Sequence, residues 1–427
     1  MSIPFRSRVR RPRVRPELIG TPADPYAPLR FVPFRWFVVS LLPSTLAQQI
    51  QAVVVGWQIY SLTHDPLALG LIGLSEALPF IGVALFAGHV ADRVDRRRMA
   101  IASLAVMLLS AATLFSLSFH LTRGNPVWPI YVVIAVSGVA RSFMTPSRSA
   151  LAAELVTREL YPRAAAWRSA VWQLAAVVGP ALGGLLYGFG SARLAYGVGT
   201  VLHLAGVLCL AQVSRDVPPV VEASNSVWES LRLGVRFVLH QQVVLGAMAL
   251  DMFSVLFGGA VALLPIFASE ILHVGPQGLG IMQAAPAVGA VTMSLILTHR
   301  PPMKRAGRTL FIAVAGFGLT IIGFGLSRSF VWSIALLAAS GAFDMVSVLI
   351  RSTLLQVFTP QHLLGRVTAV NSIFIGSSNE IGAFESGVAA KLLGTVPSVL
   401  FGGTMTLLVV AVTAWRVTPL RRLREIR

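Results

Sequence analysis

The stretch "GHVADRVDRRRMA", residues 88–100, places six charged residues among the seven positions from Asp92 to Arg98, shortly after Gly88. The whole chain is only 12% charged, and the segments on either side of this stretch are almost purely apolar. Charge concentrated between two apolar segments is typical of a short loop at a membrane surface. The flanking segments are therefore predicted to be membrane-spanning helices.

The composition is typical of a helical membrane protein. The 427 residues are 55% hydrophobic, with a mean hydropathy of +0.74, whereas soluble domains carry about 25% charged residues. Apolar runs long enough to span a bilayer recur along the chain. We expect no secretory signal peptide, because the N-terminus is polar and rich in arginine. One cysteine, Cys209, and eight scattered histidines predict neither a disulfide framework nor a metal site.

Apolar windows predict twelve spans, six on each side of a polar connector. The windows lie near 35–61, 66–90, 99–121, 128–152, 164–189 and 194–213, and then near 242–269, 276–298, 309–327, 330–357, 365–390 and 396–416. With both termini inside, 28 of the 35 Lys and Arg residues fall in tails and inner loops, and three lie within spans. The remaining four, Arg123, Arg193, Arg328 and Lys391, face outward. The positive-inside rule therefore predicts that both termini are cytoplasmic.

The spans divide the chain into five parts. These are an arginine-rich tail at 1–34, a six-helix half at 35–213, a linker at 214–241, a second six-helix half at 242–416 and a basic tail at 417–427. The net charge of +18 is spread over tails and loops, so we expect contact with membrane lipids and no nucleic-acid partner. A solvated tail that sets topology is the alternative.

The linker contains the signals of a helix. The stretch "SVWE" at 226–229 has capping-box spacing, and Trp228, Leu231, Val235 and Val238 lie at helical spacing. This pattern predicts an amphipathic helix at the membrane interface or a plain helical linker.

The two sets of spans repeat each other. A shift of 203 residues aligns Ser137-Gly138 with Ser340-Gly341, Arg148-Ser149 with Arg351-Ser352, and Gly184 with Gly387, while a shift of 207 aligns Gly73 with Gly280 and Pro79 with Pro286. Parallel repeats of this kind are related by an axis along the membrane normal, and their substrate sites fall near the midplane. The predicted fold is an all-α integral membrane protein with twelve transmembrane helices in two parallel-repeat six-helix halves. An artefact of apolar sequence is the alternative.

The segment from Gly88 to Arg98 resembles the loop signature between spans two and three of the major facilitator superfamily, G-x-x-x-D-R-x-G-R-R-R/K. One position departs from that pattern, since Asp95 stands where glycine is common. The resemblance implies a major facilitator fold and a conformational latch on the cytoplasmic side. The latch residues would be Gly88, Asp92, Arg93 and Arg97, with Asp92 engaging the start of the eleventh span near 364–366. A basic loop that only sets topology would explain the arginines alone.

Two further stretches refine the resemblance. "AVVGPALGG" in the fifth span contains Gly179, Pro180, Gly183 and Gly184, and is similar to the G-P-x-x-G-G core of the antiporter signature of proton-coupled drug exporters. The longer signature has glycines where this chain has Ala166 and Ala175, and close helix packing without directional meaning is the alternative. "GVARSFMTPSRSAL", followed by "LVTREL", resembles the branch that contains the enterobactin exporter and macrolide efflux proteins.

Ionisable residues within spans are costly, which makes each a candidate for function. The candidate cavity residues are Arg141, Asp344, Asp251 and Glu76. The shift of 203 makes Arg141 and Asp344 equivalent, so the two are expected to pair across the cavity or to form a permanent interhelical ion pair. Proton coupling is assigned to Asp344, Asp251 or Glu76. Glu380 and Glu385 rank lower, and Gln48, Gln51 and Gln58 line a polar pathway or bond between helices.

These observations predict a secondary active transporter, a proton-coupled exporter of amphiphilic organic compounds such as drugs, macrolides or siderophores. No G-x-x-x-x-G-K-S/T phosphate loop is present in the sequence, so we expect no cofactor and a proton gradient as the energy source. The alternatives are a same-fold importer, a lysophospholipid transporter or a non-transporting receptor. An enzyme is not expected, because no catalytic constellation lies at one depth. We expect a monomer in the bacterial inner membrane.

Overall fold

The computed structural model describes residues 24–121, 125–214, 227–299 and 305–423, and these ranges are helical without a strand. The helices are α1 Val32–Thr63, α2 Pro66–Arg93, α3 Arg96–Leu117, α4 Trp128–Glu154, α5 Tyr161–Ala211, α6 Val227–His240, α7 Gln242–Phe257, α8 Leu264–Ile266, α9 Gly275–Thr298, α10 Ala306–Leu326, α11 Phe330–Phe358, α12 Gln361–Leu393, α13 Thr395–Arg416 and α14 Thr418–Arg421. Within the described ranges, ten helical stretches are long and apolar enough to cross a membrane.

Most helices coincide with predicted spans, but the fifth and sixth windows are not separated by a loop. They form one continuous element, α5, in which Ser191 alone has non-helical backbone angles (φ 72°, ψ 177°). A straight helix of 51 residues would be about 77 Å long, well over twice the thickness of a bilayer's hydrocarbon core. The chain therefore turns at Ser191. No proline interrupts the short connection at 190–193, which explains why helical geometry continues on both sides of the turn.

The seventh window is also less regular than predicted. Helix α7 ends at Phe257, and the chain continues through a 3-10 turn at Ala260–Leu263, the short α8 and a π turn at Phe267–Ile271. Gly258 and Gly259 follow α7 directly, and adjacent glycines weaken a helix because they lose the most conformational freedom on folding. Together these pieces form one candidate span, Gln242–Ile271.

Small residues allow close contacts between the helices before the linker helix α6 and the helices after it, which we call the two parts of the chain. On α5, Gly184 lies against Gly280 of α9, and a Cβ atom at either position would come 2.9–3.0 Å from the other glycine's Cα. On α2, Gly70 likewise lies against Gly387 of α12. Backbones approach this closely only where side chains are minimal.

These two contacts lie at the same end of the molecule. Gly70 is near the start of α2 and Gly387 near the end of α12, while Gly184 and Gly280 lie near the Ser191 turn and the start of α9. We call this the distal end, which carries the α1–α2 connection at 64–65, and we call the end where α1 begins the proximal end. The two parts of the chain are therefore packed backbone to backbone at the distal end.

The linker helix α6 packs against the protein. Val238 is buried in a cluster with Met248 of α7, Leu355 of α11 and Val367 of α12, and Val235 packs at its edge. Ser226 and the side chains of Trp228 and Leu231, the remaining residues of the predicted capping box and apolar face, lie outside the described residues. The C-terminal part of the predicted apolar face therefore covers neighbouring helices.

Candidate functional site

One large cavity lies among the first five helices. Its volume is about 770 Å³, within the range of cavities that hold drug-sized molecules. The wall comprises Leu41, Thr45, Gln48, Gln49, Gln51, Ala52, Val55, Ile72, Glu76, Met107, Ile134, Ser137, Arg141, Met144, Thr145, Arg148, Ala165, Arg168, Ser169, Val171 and Trp172. We call it the main cavity. It combines apolar and aromatic side chains with amide, hydroxyl and charged groups, the mixture expected for an amphiphilic ligand.

Arg141 of α4 lies in the wall and binds two carboxylates from different parts of the chain. Its Nη1 lies 2.5 Å from Oε1 of Glu76 on α2, and its Nη2 lies 3.2 Å from Oε1 of Glu380 on α12. The guanidinium also lies 5.9 Å from the centroid of the Phe80 ring. A single cation therefore connects α2, α4 and α12, and we call these three charged residues the Arg141 trio.

The trio corrects the pairing expected from the repeat. Arg141 does not pair with Asp344, whose side chain lines a second cavity, of only about 10 Å³, together with Asp251, Phe343 and Ser347. The repeat makes two positions equivalent along the chain, but equivalence does not bring them into contact, and Arg141 meets nearer carboxylates on α2 and α12. Of the four candidate cavity residues, Glu76 and Arg141 line the main cavity, whereas Asp251 and Asp344 line the second one.

Two further arginines in the main cavity have only neutral side-chain partners. Arg148 Nη2 donates to Ser44 Oγ at 2.8 Å, and Arg168 Nη2 donates to Ser149 Oγ at 2.9 Å. Neither guanidinium has a carboxylate within ion-pairing distance among the residues that the structure describes. The cavity wall is therefore positively charged near these two residues.

At the distal end, charged and polar groups join the two parts of the chain. The Tyr60 hydroxyl donates to Glu270, and Lys391 Nζ donates to Asp65 Oδ2 at 2.7 Å. Burial raises the pKa of Asp65, but the hydrogen bonds from Lys391 and the Leu67 amide, with the Lys391 charge, outweigh it and lower that pKa below its ordinary value. These contacts add to the glycine contacts that close this end.

The predicted latch is only partly described. The surroundings of Gly88 and the side chains of Asp92 and Arg93 lie outside what the structure describes, so the latch role of these residues stays a prediction. Arg97 Nη2 donates to the carbonyl of Ala211, the last residue of α5, at 2.6 Å, which places Arg97 within the N-terminal part of the chain.

Asp95, which replaces the glycine common in the family pattern, has a local role. It is the N-cap of α3, and its Oδ1 accepts from the Arg98 amide at 2.9 Å. Such a cap satisfies one of the amide groups that a helix N-terminus leaves without a partner. The departure from the pattern is thus explained by the start of the next helix.

The glycine motif of α5 contacts helices on two sides. Gly179 and Gly183 lie against Gln49 and Ile50 of α1, and Gly184 lies against α9. The carbonyl of Pro180 also approaches Gly280. The motif therefore brings α5 close to helices of both parts of the chain, and its connection with transport direction stays a prediction.

Sequence reasoning ranked one site residue too low and missed the role of two. Glu380 belongs to the Arg141 trio, and its position within an apolar span was the available signal. The sequence marks Arg148 only through its alignment with Arg351 in the repeat, and no sequence signal marks Arg168. Gln48 and Gln51 line the main cavity, and the buried Gln58 accepts from Tyr196 instead.

Comparisons with known proteins agree with this architecture. The family described as "Transmembrane secretion effector" matches residues 23–426. The chain is also similar to the enterobactin exporter EntS of Escherichia coli, Shigella boydii and Citrobacter koseri. Each of these relatives is 26% identical over 401 residues, which cover 92% of this chain and 93% of the relative.

Proposed function

Because the chain belongs to the transmembrane secretion effector family of major facilitator superfamily transporters, we propose that it is a proton-coupled exporter of amphiphilic organic compounds. The chain is a multi-pass membrane transporter and not an enzyme. The observation that carries the proposal is the Arg141 trio, in which one cation of the cavity wall binds a carboxylate from each part of the chain.

The proposed architecture has twelve spans in two halves. Ten candidate spans become eleven when α5 is divided at Ser191, and α12 is the twelfth. Its 33 residues are long enough to cross a bilayer, but they include Arg366, Glu380, Glu385 and Lys391, which lower its hydropathy. With both termini on the cytoplasmic side of a bacterial inner membrane, the proximal end faces the cytoplasm.

The position of the main cavity supports export by alternating access. Leu41 and Thr45 belong to the first half of α1, Arg148 lies near the end of α4, and Arg168 lies near the start of α5, all toward the proximal end. The distal end is closed by the Gly184–Gly280 and Gly70–Gly387 contacts. In the proposed orientation, this conformation takes up substrate from the cytoplasm.

The trio offers a route for coupling to protons. With both carboxylates ionised, Glu76, Arg141 and Glu380 carry a net charge of −1, and one proton makes the trio neutral while Arg141 keeps a carboxylate partner. A proton taken up by Glu380 weakens the connection between α4 and α12, which is one of the connections between the proposed halves. Because Glu76 and Arg141 also line the main cavity, a substrate can compete for the same groups, so that binding and protonation exclude one another.

The energy required is available from the membrane. One charge that moves through a potential of 100 mV releases about 2.3 kcal/mol, which supports a gradient of roughly 50-fold. We propose that the chain needs no cofactor and acts as a monomer. A same-fold importer or a lysophospholipid transporter is the alternative within the family, and a non-transporting receptor is a third possibility.

The test is transport in proteoliposomes that contain the purified chain and a pH gradient of either sign. Lipophilic cations, macrolides and catecholate siderophores serve as substrates. We expect accumulation on the acidic side only, together with proton movement in the opposite direction. In Glu380→Gln we expect substrate counterflow to persist while gradient-driven accumulation is lost, because exchange of substrate needs no proton release.

The matched control is Glu385→Gln, which removes a carboxylate five positions along the same helix and outside the trio. It should keep gradient-driven accumulation. If Glu380→Gln couples transport to the pH gradient as well as the wild type does, the proton is carried by another acid such as Asp344. Uptake in the opposite sense, or transport restricted to lysophospholipids, would favour the alternative functions.

A further inference from the structure

Arg148 and Arg168 are the charged groups of the main cavity that the proposed proton coupling does not use. The cavity wall carries four ionisable side chains, and the other two, Glu76 and Arg141, bind each other. Arg168 binds the hydroxyl of Ser149, the residue that follows Arg148, so the two like charges lie close together. Arg148 in turn binds the hydroxyl of Ser44. Two neighbouring guanidinium groups with no carboxylate partner among the described residues are costly inside a membrane protein.

The second half provides a direct comparison. Arg351 is the repeat equivalent of Arg148, and it binds Asp251 of α7. Arg148 binds Ser44 of α1, which is 207 positions before Asp251, the shift that aligns the second and eighth spans. The same contact between helices therefore recurs with a carboxylate in one half and a hydroxyl in the other. Among the residues that the structure describes, the first half has no such counter-ion at the place where the cavity lies.

The apolar and aromatic side chains near Arg148 and Arg168 indicate what kind of molecule would carry the negative charge. Trp172 lies four positions after Arg168 on α5, so both residues occupy one face of that helix. Trp172 is 56% exposed, and it lines the cavity with Met107 and Met144. Tryptophan and methionine provide a polarisable surface that suits a flat apolar group.

We propose that the main cavity binds its substrate as an organic anion, with a carboxylate or phenolate between Arg148 and Arg168 and an aromatic body against Trp172. The proposal rests on the proposed function, because it names the substrate class of that same cavity. The planar fork of each guanidinium matches an oxyanion in two-point contact. The bound anion supplies the counter-ion that Asp251 supplies in the other half.

The experiment measures binding to the purified full-length chain in detergent by calorimetry. The probes are naphthoate, its neutral amide naphthamide and the cation naphthylmethylammonium, which share one ring system. Lysophosphatidylglycerol and lysophosphatidylcholine form a second arm that distinguishes an anionic lipid headgroup from a free organic anion. The variants are Arg148→Gln and Arg168→Gln, with Arg148→Lys as a variant that keeps the charge. The matched control is Arg158→Gln, which removes an exposed arginine before α5.

We expect naphthoate to bind at least about tenfold more tightly than naphthamide, and each glutamine variant to remove about that preference, since one charge-assisted contact has this magnitude. Arg148→Lys should retain part of it, and Arg158→Gln all of it. Tighter binding of lysophosphatidylglycerol than of naphthoate, with the same dependence on Arg148, would overturn the free-anion assignment. Equal binding of the three naphthyl probes would overturn the proposal entirely.

Failure of the proposed function is distinguishable from failure of this inference. If naphthoate binding depends on both arginines but no substrate accumulates under a pH gradient, the anion site is supported and coupled export is contradicted. If Arg148→Gln and Arg168→Gln still export cations under a gradient, and the wild type binds naphthoate no more tightly than the other probes, export is supported and the anion site is contradicted. Elution of each variant as a single species from a sizing column verifies folding.

Discussion

Asp251 of α7 and Arg351 of α11 form an ion pair that is almost completely withdrawn from solvent, with side chains 9% and 5% exposed. The pair lies beside the small second cavity, which Asp251 lines together with Asp344. Arg351 therefore has a fixed partner in the same part of the chain, whereas Arg141 is shared between two carboxylates. The two arginines thus have different roles, one in holding helices together and one at the cavity wall.

The first prediction follows from this burial. Asp251→Asn leaves Arg351 as a buried charge without a counter-ion, and loss of one partner of such a pair costs about 3–5 kcal/mol. We expect a large fall in the thermal unfolding temperature in detergent. The double variant Asp251→Leu with Arg351→Met should be considerably more stable than Asp251→Asn, because it removes both charges. Equal stability of wild type and Asp251→Asn would show that the pair contributes nothing.

A second prediction concerns pH and the Asp65–Lys391 contact at the distal end. The pKa of Asp65 is lowered from 3.8 in the folded chain, so the contact contributes stability above the unfolded-state pKa and loses it as the pH falls through the folded-state pKa. The difference in unfolding temperature between wild type and Asp65→Asn should be constant near neutral pH and should shrink only below about pH 3.8. Lys391→Gln should reduce this difference near neutral pH to the part that the hydrogen bond from the Leu67 amide to the Asp65 carboxylate contributes. A difference that grows on acidification would contradict the assignment.

The turn within α5 gives a third prediction. Ser191 is exposed and has φ 72° and ψ 177°, a region that glycine occupies readily and that costs other residues about 1–3 kcal/mol. Ser191→Gly should therefore raise the unfolding temperature, while Ser191→Val should lower it because a branched side chain tolerates this geometry least. Ser169 lies inside the regular part of α5 and serves as the control. Glycine at this position should lower the unfolding temperature, because glycine destabilises a helix interior.

The sequence predicted the helices better than their connections. Trp128 and Gly275 begin helices within one residue of the predicted starts, because an apolar run of bilayer length is visible without knowledge of any partner. The turn at Ser191 was expected as a loop and is a single residue. Its geometry depends on how two helices pack, which local sequence does not encode.

The site was predictable only in part, for a related reason. Charge within an apolar span marked Glu76 and Arg141, but the partner of Arg141 on α12 lies 239 residues away. A contact of that separation depends on which faces of α4 and α12 meet. The repeat was informative about Arg148 only after the structure had shown that Asp251 binds Arg351 and that Ser44 takes the corresponding place beside Arg148.

The last prediction tests whether the distal end opens during transport. A Cβ atom at Gly188 of α5 would meet the side chain of Gln277 on α9, so cysteines at these positions, on a Cys209→Ser background, should form a disulfide on oxidation. Because export by alternating access requires these helices to separate, the cross-link should stop gradient-driven transport, and reduction should restore it. The control pair, Gly188→Cys with Val288→Cys, places the second thiol eleven positions further along α9, about 16 Å away along the helix axis, and should neither cross-link nor inhibit. Full transport by the fully cross-linked protein would mean that substrate leaves by a route that does not separate α5 from α9 at this end.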